Sequence, residues 1–291
     1  ATIPSRVLVG TREVCFWPVA GLGLAAIQMI PLYELVVQSF RQGSATYRQI
    51  IDWSYPWRRL IAFLVPDFFG NPTHHAYIDV FSRRIVTTLR DAQGAPIHTI
   101  YFGVKNYVEG ASYVGVFPLL LGFIAVWKSR TRYVWIFLAL AVVSLLFAFG
   151  IPLYAVLYYL LPGIKQLHSP FRWVFPYTLS LSVLAGCGAS WLTKNRPPGE
   201  VRSIRVLGVV ALTLGMLGLG TLALSLCFPE LATAWAEQAV FAVAHASEAF
   251  ADGGAFYSYQ FRNFLILFLA LGGSGLALVV SGTRLRLGRG P

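Results

Sequence analysis

A set of carboxylates and cations carries the pattern in this sequence that suggests chemistry, and they lie outside the apolar runs or at their edges. Glu34 stands near the end of the first run, with Gln38 and Arg41 following at i+4 and i+7 on the same helix face. An ionisable group at the edge of a membrane span is a candidate functional group. The two readings of Glu34 are an acid facing a cavity and an interfacial Glu paired with Arg41. In IIDWSYPWRRLIAFLVPDFFGNP (50–72), Trp53, Tyr55 and Trp57 accompany Arg58 and Arg59, with Asp52 and Asp67 on either flank. Aromatic rings suit the headgroup level of a bilayer, and arginine forks match phosphate oxygens in pairs. The chemistry would be recognition of a lipid phosphate or sugar phosphate, with an acid beside it as base. The alternative is an interfacial helix with Asp52 as a cap or turn residue.

Glu109 precedes the second apolar run, where it either acts or caps a helix through the dipole. Lys165, His168 and Arg172 in PGIKQLHSPFRW bring three potential cations to a helix start, a plausible anion site. Snorkelling cations at an interface are the competing explanation. His74 and His75 are adjacent, but no HExxH pattern or spaced carboxylate accompanies them, so no metal is expected. The sequence has no P-loop, no GxGxxG and no GxSxG, and no cofactor is expected, with a divalent cation left open. Cys15, Cys187 and Cys227 lie inside apolar runs and read as small core residues.

The elements that must position these residues are membrane spans. Of 291 residues, 56% are apolar and 12% charged, about half the charged share of an ordinary soluble domain. Mean hydropathy is +0.63. These values exclude a soluble enzyme, a disordered chain and a disulfide scaffold. Six apolar runs, 14–38, 111–127, 133–150, 171–192, 206–228 and 261–283, approach the length a bilayer demands. The expected fold is all-α and polytopic, with six spans and a short interfacial or re-entrant helix over 151–161. It forms one transmembrane domain over 1–291, with a long outer loop over 41–110 and an outer amphipathic segment over 229–260.

The net charge of +11 fits cytoplasmic loops rather than nucleic acid, because no basic stripe with interleaved aromatics occurs. With six alternating spans, one side holds 12 of the 23 basic residues and only two acids, Glu13 and Glu200. That side is read as cytoplasmic, with both termini on it. Small residues four apart (Gly186 and Ser190, Ala211 and Gly215, Ala270 and Ser274, Gly273 and Ala277) would let helices approach closely. The chain opens on Ala1, which suggests processing or a place within a longer protein.

Several stretches resemble the YfhO-like bacterial membrane proteins, within the GT-C class of glycosyltransferases. They are AAIQMIPLYELVVQSFR (25–41), FLVPDFFGNP (63–72), EGASYVGVFPLLLGFIAV (109–126) and LPGIKQLHSPFRWVFPYTLSLSVLAGCGASWL (161–192). The resemblance covers about residues 20–195. It implies an enzyme of the bacterial cytoplasmic membrane that takes a sugar from a polyprenyl-phosphate carrier on the outer face and passes it to the cell envelope. An outer-loop carboxylate would be the base and basic residues would hold the carrier phosphate. On this chain the candidates are Asp52, Glu34 or Glu109 as base, and Arg58, Arg59, Lys165, His168 and Arg172 around the phosphate.

Family members are longer, with a catalytic acid expected in a first outer loop, and this chain is expected to start after that loop. It is therefore expected to be part of a longer protein or a degenerate relative. The alternative class is a non-catalytic subunit packing against other membrane subunits. A transporter or flippase is a third reading, weakened by the lack of inverted repeats.

Overall fold

The computed structural model describes residues 5–38, 45–104, 106–161, 164–166, 169–194, 197–243 and 245–287. The chain is mostly helical. Each of the six apolar runs coincides with a helix: α1 (Ser5–Val37), α3 (Val116–Lys128), α4 (Arg132–Ala148), α6 (Val174–Leu192), α7 (Pro198–Ser225) and α9 (Gly253–Leu287). Shorter helices are α2 (Tyr47–Asp52), α5 (Tyr154–Leu160) and α8 (Pro229–Ala242). Among the described residues three helical stretches, Phe16–Leu35, Pro198–Ser225 and Gly253–Gly282, are long and apolar enough to cross a membrane. Helix α3 has 13 residues. At 1.5 Å per residue it reaches about 20 Å, short of a hydrocarbon core near 30 Å.

The chain forms two compact units, one of residues 1–53 and 154–169, the other of residues 54–153 and 170–291. In the first, Thr46 caps α2: its Oγ1 accepts from the Gln49 amide, and Gln49 Oε1 accepts from the Thr46 amide. Tyr158 of α5 donates to the Ala45 carbonyl at 2.8 Å, and its ring meets that of Tyr47 edge-on at 5.4 Å. Almost every described side chain of α1 from Phe16 onward is exposed.

In the second unit α7 packs along α9, and α6 packs against α3 and α4. Missing side chains make both contacts close. A Cβ on Gly215 would stand 2.6 Å from the Gly272 nitrogen, and one on Gly188 would overlap the Leu121 carbonyl. Ala211, Gly215 and Ser274 thus serve packing within the chain, whereas Cβ positions at Gly186 and Gly273 meet open space.

The segment between Ser54 and Gly115 carries a 3-10 helix over Trp57–Phe63 and four short strands: β1 (Gly70–Asn71), β2 (Tyr77–Asp79), β3 (Arg84–Val86) and β4 (Ile100–Tyr101). Antiparallel pairs join β1 to β4 and β2 to β3. Gly70 has φ +81°, and a Cβ there would overlap the Ile100 carbonyl, so only glycine permits this pairing. Phe69, Ile100 and Phe102 form a core with Phe250, just before α9, and Phe256 in its first turn. Ser258 of α9 accepts from the Val80 amide and donates to Asp79, which fixes the β2–β3 hairpin to the helix.

Candidate functional site

The 3-10 helix turns one arginine outward and the next inward, because successive residues on it point about 120° apart. Arg58 is exposed, while Arg59 keeps only 5% of its surface. Its Nε and Nη1 are buried and have no hydrogen-bond partner among the described residues. The guanidinium lies 5.5 Å from the Tyr55 ring centroid and 5.6 Å from that of Phe69. Ring faces compensate a cation only in part. Backbone approaches on another side: a Cβ on Gly110 would come within 3.3 Å of Nη1. Tyr55 closes this wall, donating to the Gly110 carbonyl at 3.3 Å and lying 3.0 Å from Ser112 Oγ. Burial pushes the Tyr55 phenol up, opposed by the Ser112 hydrogen bond and by the positive charge of Arg59. The wall therefore keeps its proton, and the charge in the pocket is that of the arginine.

Next to Gly110, Glu109 holds Arg172 through two bonds of 3.2 Å each, Nε to Oε2 and Nη2 to Oε1. This pair is about half exposed. The chain thus brings Arg59 close to the Glu109–Gly110 backbone and binds Arg172 to Glu109 across 63 residues of sequence.

A second acid belongs to the same unit. Asp67 Oδ1 accepts from Tyr107 Oη at 2.5 Å and from Asn71 Nδ2 at 3.1 Å, and Asn71 Nδ2 also lies 2.9 Å from Tyr107 Oη. The turn carrying Asp67 is anchored from α9: Asn263 donates to the Asp67 carbonyl at 3.1 Å and Gln260 to the Phe68 carbonyl at 2.7 Å. Burial, then the Asp67 hydrogen bond and charge, pushes the Tyr107 phenol up, so Tyr107 remains a proton donor to the carboxylate. His74 Nδ1 lies 2.9 Å from Tyr259 Oη. Burial lowers the His74 pKa; the Asp67 charge opposes this, and Arg262 and His75 add to it. His74 is therefore neutral near pH 7. His75 Nδ1 meets the His98 carbonyl at 2.8 Å. Among the described residues no group of three or more metal-ligating side chains occurs.

The other sequence candidates fall elsewhere. Glu34 on α1, Asp52 at the end of α2 and Lys165 belong to the first unit, and all three are exposed. Lys165 Nζ stands 5.4 Å over the Tyr158 ring. Arg41 and His168 lie outside the described residues. Sequence reading passed over Tyr107, Asn71 and the His74–Tyr259 contact. Only Asn71 left a signal, four residues after Asp67 in PDFFGNP. This chain matches no protein-family model, no curated protein and no solved structure.

Proposed function

We propose that the chain is a membrane glycosyltransferase of the GT-C kind, or a fragment of one, using a polyprenyl-phosphate sugar as donor. One observation carries this reading: a buried arginine whose Nε and Nη1 have no partner among the described residues. An uncompensated buried charge costs several kcal/mol, so its retention calls for a partner anion. A phosphate linking sugar to lipid is such an anion, and an arginine fork fits it.

In the proposed reaction the acceptor hydroxyl gives its proton to a carboxylate and attacks the sugar C1. The bond from C1 to the phosphate oxygen breaks, and the polyprenyl phosphate leaves with the electron pair. Arg59 stabilises the charge gathering on the leaving phosphate. The base is a carboxylate of the Arg59 unit, Glu109 released from Arg172 or Asp67 held by Tyr107 and Asn71; Glu34 and Asp52 are the candidates of the other unit. Arg58 and Arg172 supply outer cations for the carrier in the Arg59 unit; Lys165 and His168 are the cation candidates of the other. The reading places six spans in a bacterial cytoplasmic membrane with both termini inside.

The test is sugar transfer by the purified chain from a polyprenyl-phosphate donor in bilayer nanodiscs. Arg59→Ala is expected to abolish transfer and to weaken donor binding at least tenfold, with Arg59→Lys intermediate. Unchanged donor affinity in Arg59→Ala would sink the assignment. The exposed flank of α1, apolar from Phe16 to Leu35, favours a second reading, a non-catalytic subunit that covers α1 with another membrane protein. Copurification in fixed stoichiometry, with no transfer activity, would select it.

A further inference from the structure

A cavity of about 800 Å³ opens where α3 and α6 end and α4 begins. Lys128 closes α3, Arg130 stands in the turn to α4, and Lys194 follows the last turn of α6; all three line it. Among the described residues none that lines it is acidic. Lys128 Nζ lies 4.0 Å over the Trp127 ring, a contact that leaves its charge uncancelled. Away from the cations the wall becomes apolar, with Phe137 of α4 and Val183 and Cys187 of α6. From Val183 to the end of α6 the helix rises about 14 Å at 1.5 Å per residue. Gly186 lies on this wall, and a Cβ added there meets no atom within 4 Å, so the cavity is open along the helix.

We infer that this cavity binds one anionic phospholipid. Its phosphate sits among Lys128, Arg130 and Lys194, and the upper part of an acyl chain lies along Gly186 against Phe137 and Val183. Charge complementarity selects the headgroup, and the apolar wall selects a lipid over a water-soluble phosphate. Such basic pockets between membrane helices are suited to anionic headgroups. Each cation near an anionic lipid contributes about a fivefold factor in affinity, so three give on the order of a hundredfold over a zwitterionic lipid. The site does not depend on the transferase reading, because it involves neither Arg59 nor a sugar.

The test uses the full chain in neutral detergent, with lipid retention read by native mass spectrometry. Phosphatidylglycerol and phosphatidylcholine of identical chains are offered at equal concentration, with soluble glycerophosphate as competitor. The expected result is a preference for phosphatidylglycerol on the order of a hundredfold, untouched by millimolar glycerophosphate. Replacing Lys128, Arg130 and Lys194 together by Gln should reduce the preference to within about threefold. Gly186→Leu keeps every cation, fills open space and suits a helix. It should expel the lipid while leaving the unfolding midpoint within a few degrees, and it carries the test if the triple variant does not fold. Equal retention of both lipids, or a preference that survives Gly186→Leu, overturns the inference. Displacement by glycerophosphate overturns it in favour of a soluble phosphate.

Discussion

The two ends of α3 hold cations in opposite settings. Beyond its start, Arg59 is buried against Tyr55, Phe69 and the Gly110 backbone, and two of its nitrogens have no partner among the described residues. At its end, Lys128 and the neighbouring Arg130 and Lys194 line a cavity, and the latter two are exposed to solvent. Water pays most of the solvation of the second group, and salt screens it over about 10 Å. The first is buried, and its Nε and Nη1 have no hydrogen-bond partner among the described residues. Equal charge thus has different consequences. The exposed cations select a partner by electrostatic attraction at little cost to the fold, whereas the buried one lowers stability until an anion arrives.

The sharpest way to break that contrast is Arg59→Met, which keeps bulk and removes the charge. It should stabilise the folded chain by about 1–4 kcal/mol in denaturant or thermal unfolding, because an unpaired buried charge is replaced by packing. A fall in stability would mean that Arg59 is already satisfied. Gly110→Ala tests the same pocket from the backbone side. Its Cβ would stand 3.1 Å from the Asn106 carbonyl and 3.3 Å from Arg59 Nη1. Crowding of this kind costs about 1 kcal/mol and should shift the fork enough to weaken phosphate-carrier binding several-fold in a titration. Arg172→Met supplies the exposed control. Its pair with Glu109 is half solvated, so unfolding should change by less than about 1 kcal/mol.

The smallest effect concerns pH. His74 has a folded-state pKa below its ordinary 6.5, chiefly through burial. The folded chain then binds fewer protons than the unfolded one, and stability rises with pH across that range. Acidification from pH 7 should begin to cost stability near 6.5 and level off below the folded-state value. His74→Gln should flatten that slope in unfolding curves measured from pH 7 to 5; an unchanged slope would assign it to another group.

Sequence reading located the helices because each carries a long apolar run, and a run of that length has few alternatives. It did not measure how much of each run becomes helix. Gly115 at φ +96° and the turn Ser129–Thr131 confine α3 to 13 residues, and among the described residues three helices are both long and apolar enough to cross a membrane. The strands β1 to β4 left no readable period, since two or three residues are too few to alternate. The site was partly legible. RR at 58–59 reads as a candidate phosphate-binding pair, yet only the 3-10 geometry decides which arginine is buried. Glu109 and Arg172 were both noticed, and their pairing was not, because 63 residues separate them. Tyr107 reaches Asp67 across 40 residues and Tyr259 reaches His74 across 185, contacts that no local spacing encodes.

The most direct test of the central claim is the affinity of a polyprenyl phosphate for the native chain and for Arg59→Met, each at 50 and 500 mM salt. The account predicts tight binding by the native chain that changes little with salt, and a loss of at least tenfold in Arg59→Met. Equal affinities in the two proteins, or a native affinity that collapses at high salt as exposed cations would make it, would contradict the assignment of Arg59 as the phosphate seat.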